Sequence, residues 1–318
     1  MAKWLVGMVV NNGEATVIPA IESIYDFADK IFIVEGGIRQ FPGEIITDNG
    51  LSTDGTTEKI ERFINEKDLA KKIIHAKVGI TNGLHEKRQI YLDYAQKHLD
   101  EFDWILVLDD DEGYLPHQLK FLNMFIEGNK DLVLILNDVY WFFEKNKICV
   151  KNLFEQEYPD LVGLQPYQSE DMLFFEDGYF GTQIYSGQLE ERIFRNLPGL
   201  NHSKSHANVC DPNGEFLYSQ GAYFKKRAFI LDACLNRYHY YTINKIRRRN
   251  TIKYCGILEE NINISDNKSL EIYAEKHPYY AWLNQGKPMH KLITGLKPGM
   301  RVEFFNGQHV PAFEKILN

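Results

Sequence analysis

What this chain of 318 residues lacks narrows it first. Its four cysteines, Cys149, Cys210, Cys234 and Cys255, are widely spaced and form no CxxC pair. That pattern gives no signal for zinc, and reduced thiols in a cytoplasmic chain are the expectation. No apolar run is long enough to span a bilayer. The N-terminal "MAKWLVGMVV" turns polar at Asn11 and lacks a small-residue cleavage site. Positive charge is also short, with 36 basic against 44 acidic residues and a net charge of -8. A general nucleic-acid binder needs a basic face, so that class is set aside. Repeats and low-complexity tracts are missing too.

What is present is core material and alternation. Apolar residues make up 44% of the chain, enough for one large domain or a domain with an appendage. "WLVGMVV" reads as a strand, "TVIPAIESIYDFA" as an amphipathic helix and "KIFIVEGG" as a strand ending in glycines. "TTEKIERFINE" follows as a helix capped from Ser52 to Asp54, then "KKIIHAKV" as a short strand and "HEKRQIYLDYAQKHL" as a helix. "WILVLD" and "DLVLILNDVYWFF" are strands on either side of the helix "PHQLKFLNMFIE". This alternation predicts an α/β fold, a mostly parallel sheet flanked by helices. After Lys145 the period loosens, apart from a strand at "ERIFRN". From Lys225 the spacing predicts helices at "KKRAFILDACLN", "YTINKIRRRNTIKY" and "SLEIYAEK", with a terminal hairpin turning at Asn306-Gly307. The expected division is a nucleotide-binding-type domain over 1–215 and a mainly helical extension over 216–318.

The strand "WILVLD" runs straight into Asp109, Asp110, Asp111 and Glu112. Adjacent carboxylates repel one another, so either water screens them on an exposed turn or a positive group lies among them. In open parallel sheets ligands bind at the carboxyl ends of the strands, where this cluster and Glu35 both fall. The spacing of Asp109 and Asp111 lets both reach one divalent ion, or lets one hold a sugar hydroxyl. Oxygen donors of this kind suit Mg²⁺ or Mn²⁺.

The order "VVNNGE", "IFIVEGG…STDGTTEKI" and "EKRQIYLDYAQ…DWILVLDDDE" resembles glycosyltransferase family 2, with its A-type glycosyltransferase fold. The resemblance covers roughly the first 115 residues and continues more faintly through "ERIFRNLPGLNHSKSHANV". It implies nucleotide contacts from Asn11, Glu14, Glu35, Asp54, Arg88, Asp109 and Asp110. It implies a metal at Asp109 and Asp111, completed by a late histidine that His206 matches best, with His202 and His239 as rivals. Two departures stand out: "GIRQFPGEIITDN" intervenes before "STDGT", and Glu35 replaces the commoner aspartate.

The function so implied is a metal-dependent, inverting transfer of a sugar from a nucleotide-diphosphate donor to a hydroxyl. The acceptor would be a glycan, a lipid-linked molecule or a small molecule. A carboxylate must take the hydroxyl's proton, and the candidates are Asp171, Asp177 and Glu191. Surface acids on an irregular loop would look the same. The strip Arg247 to Arg249, with Lys245 and Lys253, reads first as a solvated helix face. Its functional reading is a counter-charge for the leaving diphosphate or a peripheral contact with anionic lipid. Two alternatives use the same residues: a metal-dependent nucleotidyltransferase, and a catalytically inactive glycan-binding module.

Overall fold

The computed structural model describes residues 1–39, 46–144, 147–151, 167–169, 172–174, 180–182, 189–203, 208–217, 228–237, 300–304 and 307–317. The strands are β1 (Trp4–Val10), β2 (Lys30–Glu35), β3 (Ile73–Lys77), β4 (Trp104–Asp109), β5 (Glu112–Gly113), β6 (Leu134–Glu144) and β7 (Lys147–Lys151). They continue with β8 (Tyr167–Ser169), β9 (Met172–Phe174), β10 (Phe180–Thr182), β11 (Leu189–Arg195), β12 (Asn201–His202), β13 (Val209–Cys210), β14 (Ala228–Arg237) and β15 (Met300–Phe304). The helices are α1 (Val17–Ile24), α2 (Thr56–Glu66), α3 (Leu84–Lys97), α4 (Pro116–Gly128) and α5 (Pro311–Leu317).

The main sheet runs β3-β2-β1-β4-β11-β6-β14, and the first four strands are parallel. β11 enters antiparallel between β4 and β6. The expected α/β architecture is therefore present, as a mixed sheet whose parallel half is built from the first 109 residues. Register aligns the carboxyl ends: Val9 lies opposite Asp109, and Val10 opposite Glu35, which lies opposite Lys77.

Side chains alternate along these strands with the period of two that a pleated backbone imposes. Trp4, Val6 and Met8 join Trp104, Leu106 and Leu108 under α1, α2, α4 and α5. Leu5, Val9, Ile105 and Val107 face the other way, against Tyr91, Leu92 and Ala95 of α3. Gly7 marks the closest approach: a Cβ there would lie 2.5 Å from the Tyr91 ring, so only glycine lets α3 lie this near β1. α4 begins with proline in its first turn, where its missing N–H costs nothing, and the Gln118 side chain caps the Leu115 N–H at 2.9 Å.

Two expected elements take other forms. The helix expected at "KKRAFILDACLN" is, over Ala228–Arg237, strand β14, paired in parallel with β6. Sheet pairing with a distant strand overrides the local helical spacing there. The expected hairpin at Asn306-Gly307 is replaced as well: β15 pairs with β7, and the chain after Gly307 leads into α5, whose Phe313 is fully buried. Asn306 and the other two expected helices lie outside the described residues. No helix among the described residues is long and apolar enough to cross a membrane.

Candidate functional site

Two loops meet at the carboxyl edge and are tied together by side chains. Asn12 has φ 53°, in the left-handed region that asparagine tolerates better than most residues. Its N–H donates to Ser52 Oγ at 3.1 Å, and its Oδ1 accepts from the Thr53 N–H at 2.8 Å. Asp54 spends one oxygen on the Glu14 N–H at 3.1 Å and the other on Thr56, at the start of α2. Glu14 pairs with Lys59 of α2. The inserted segment leaves this unit undisturbed because the Gly37 N–H donates to the Gly50 carbonyl at 2.7 Å, closing the excursion at its base.

Glu35 stands beneath this unit, fully buried. Its carboxylate accepts from Thr57 Oγ1 at 2.6 Å, from the Ser52 N–H at 3.2 Å and from His75 Nε2 at 2.8 Å. Burial opposes its ionisation, but the bonds from His75, Thr57 and Ser52 outweigh that and hold its pKa at about 2. Glu35 thus anchors the "STDGT" segment from below.

The acidic run is not a screened surface turn. Asp111 and Glu112 are fully buried, Asp110 is 5% exposed, and the protein supplies its own cations. Arg88 Nη2 of α3 lies 3.3 Å from Asp109 Oδ1. Arg192 Nη2 of β11 lies 3.1 Å from Asp109 Oδ2 and 2.7 Å from Glu112 Oε1. The second Glu112 oxygen accepts from the Asp109 N–H at 3.0 Å. Asp110 packs against Gly13, where a Cβ would fall 2.1 Å from its Oδ2. Lys87, buried on α3, donates to the Gly36 and Val10 carbonyls at the ends of β2 and β1. Burial pulls its pKa down to about 8, against the pull of Asp110, Glu35 and Asp109.

Asn11 Nδ2, Arg88 Nε and the Tyr91 hydroxyl are buried here with no acceptor among the described residues. Burial drives the Tyr91 phenol well above its ordinary range, so it keeps its proton.

The structure thus gathers Asn11, Glu14, Glu35, Asp54, Arg88, Asp109, Asp110 and Asp111 at one edge. Glu191 lies on β11, and its Oε2 accepts from the Val209 N–H at 3.3 Å. His202 packs edge-on to the Tyr91 ring at 5.8 Å. Asp171, Asp177, His206, His239 and the Arg247–Arg249 strip lie outside the described residues. Sequence reasoning missed Arg192, Lys87 and His75. The only signal for Arg192 was its place in "ERIFRN", an arginine beginning an apolar strand.

Asp109 and Asp111 suit a hard divalent cation in donor chemistry, since Mg²⁺ and Mn²⁺ are often held by one or two carboxylates plus substrate phosphates. Among the described residues no group of three or more His, Cys, Asp or Glu side chains is placed to hold a metal by protein ligands alone. The donor set fits a cation that relies on a phosphate ligand for part of its coordination.

No protein-family profile matches this sequence, and no curated protein sequence does. Among solved structures, the chain is similar to S. aureus TarS, with TM-score 0.43, 15% identity and coverage of 93% of this chain and 46% of that one. The chain thus spans less than half the length of that protein. It is similar to TarS 1-349 as well, with TM-score 0.45, 14% identity and coverage of 91% and 77%. A third similar structure is glucosyl-3-phosphoglycerate synthase from Mycobacterium tuberculosis, in complex with Mn²⁺, uridine diphosphate and glucosyl-3-phosphoglycerate. Its TM-score is 0.42, with 12% identity and coverage of 81% and 79%. These likenesses concern the course of the chain only.

Proposed function

We propose that this protein is a glycosyltransferase that moves a sugar from a nucleoside-diphosphate donor to a hydroxyl acceptor, with residues 1–215 as its catalytic unit. The observation that carries the reading is a set of unmatched donors beside carboxylates at the strand ends. Asn11 Nδ2 and Arg88 Nε are buried without acceptors, and Arg88 also touches Asp109. A buried donor left unpaired costs roughly 1–3 kcal/mol, which an acceptor-rich ligand recovers. A nucleoside diphosphate is such a ligand, offering base carbonyls and phosphate oxygens together. The loops tied by Asn12 and Asp54 lie at the edge where it would bind.

Asp109 and Asp111 would hold Mn²⁺ or Mg²⁺, with His206 the candidate third ligand. When bound, the cation supplies Lewis-acid stabilisation of the leaving diphosphate. The Arg88 guanidinium, beside Asp109, would hold phosphate oxygens in register. In the transfer, the acceptor oxygen bonds the anomeric carbon as the bond to the diphosphate oxygen breaks on the opposite face, inverting the configuration. The hydroxyl proton passes to a carboxylate. Asp171 and Asp177 are the candidates for that base. Glu191 is the weaker one, since its carboxylate already accepts from the Val209 N–H. The acceptor classes are those the sequence implies, and the Arg247–Arg249 strip is the candidate for contact with an anionic lipid surface.

The test is product analysis with a panel of sugar nucleotides in Mn²⁺ and in EDTA. Nucleoside diphosphate released only with the metal supports the proposal. Pyrophosphate would instead mark a nucleotidyltransferase. Glycan binding without turnover would mark an inactive binding module.

A further inference from the structure

Arg192 reaches the acidic run through a break in strand register. Against β6, β11 steps from Glu191 opposite Leu136 to Ile193 opposite Ile135, so Arg192 is the extra residue of a β-bulge. Against β4, its pairing runs from Arg195–Trp104 to Ile193–Leu106. A bulge re-aims one side chain, and this one is aimed at the end of β4. The Arg192 side chain is 2% exposed and bridges Asp109 and Glu112, whose other oxygen caps the Asp109 N–H. These contacts close a ring around the turn that carries Asp110 and Asp111.

We propose that Arg192 is a positioning residue, the internal counter-ion that forms this turn before any cation arrives and then shares Asp109 with the cation. The sharing rests on the cation-dependent reading above, whereas the counter-ion role does not. A guanidinium buried at such a place is costly unless paired, and the two carboxylates are costly without it. A divalent cation approaching Asp109 meets an oxygen already committed to Arg192, so the native site binds the metal less tightly than its carboxylates alone would. Both contacts come from the one Nη2, so lysine keeps the charge but brings it on a shorter arm, without the guanidinium's delocalised plane and weaker hydration.

The experiment uses the full chain as wild type, R192M, R192K, D109N and D109N/R192M. Thermal melts are taken in EDTA and in Mn²⁺, and Mn²⁺ binding is followed by its electron paramagnetic resonance. R192M should melt lower in EDTA, recover more than the wild type does in Mn²⁺, and bind Mn²⁺ about tenfold more tightly. R192K should fall between them. In EDTA the double variant should lose less than the sum of the two single losses. If R192M folds only when Mn²⁺ is present, that also supports the proposal. A melting loss equal in EDTA and Mn²⁺, with unchanged Mn²⁺ affinity, would make Arg192 a packing residue and overturn it. Additive losses in EDTA would overturn the counter-ion role whatever Mn²⁺ does. Should neither wild type nor R192M bind Mn²⁺, the cation-dependent reading fails and the sharing of Asp109 fails with it.

Discussion

His75 Nε2 lies 2.8 Å from Glu35 Oε2, joining β3 to the end of β2 through a carboxylate that no solvent reaches. The same carboxylate holds both ends of the Ser52–Thr57 segment. Glu35→Ala should therefore cost about 3 kcal/mol, as expected when one member of a buried charged network is removed. Glu35→Gln, which keeps an acceptor for Ser52 and Thr57, should cost less. The pKa of Glu35 falls from 4.5 to about 2 on folding, so its stabilisation is complete above 4.5 and drains away as the pH falls toward 2. Urea denaturation of Glu35→Gln across that window should lack this acid limb. A variant that follows the wild-type curve would show that the carboxylate contributes nothing.

Lys87 runs the opposite way. Its pKa falls from 10.5 to about 8, so burial disfavours the charged form in the folded chain. Between these values the unfolded chain binds more protons, and stability rises with pH. Relative to Lys87→Met, the wild type should gain up to about 3 kcal/mol between neutral pH and pH near 10.5. Chemical denaturation at the two ends of that range measures the difference. A constant gap would show that Lys87 keeps its ordinary titration.

Asp111→Asn should separate chemistry from folding. The residue is fully buried within a run of like charge, so removing one charge should leave the melting temperature in EDTA unchanged or higher. Release of nucleoside diphosphate in Mn²⁺ should fall about a hundredfold or more, because the cation supplies several kcal/mol of charge stabilisation. Full activity in this variant would remove Asp111 from the site.

Asn12 permits a finer separation. Asn12→Ala keeps neither the left-handed backbone preference nor the bond to Thr53, and should cost about 2 kcal/mol. Asn12→Gly keeps the backbone and loses only the side chain, so it should be the more stable of the two. Both should weaken nucleoside-diphosphate binding by calorimetry, since both release Thr53 from the edge of β1. Equal stability of the two variants would show that the backbone conformation at Asn12 carries no strain.

The parallel half of the fold was legible because its strands are short apolar runs ended by polar residues, and because the helices between them carry clear spacing. The gathering of Asp109 to Asp111 with Asn11 and Asp54 was legible for the same reason: strand ends in a parallel sheet share one edge. Arg192 was not legible, since it reaches Glu112 across 80 residues through an antiparallel strand and a bulge that no local pattern announces. Lys87 and Arg88 are neighbours of similar chemistry, and only the packing of α3 sends one to the β1 and β2 carbonyls and the other to Asp109. Glu35 was placed at the correct edge. Its burial beneath the "STDGT" segment depends on His75, whose approach required the register of β3. The strand at Ala228–Arg237 was read as a helix because its pairing with β6 is remote in sequence.

The Gly37–Gly50 clasp makes the length of the excursion above it a free variable. The chain leaves and re-enters at one point, 2.7 Å apart by hydrogen bond, and the spacing of Asn12 to Ser52 is set outside it. Doubling the excursion would add only about 0.6 kcal/mol of closure entropy. A reporter peptide or a fluorophore attachment sequence grafted within the excursion should therefore leave the Asn12–Ser52 and Asp54–Glu14 contacts unchanged.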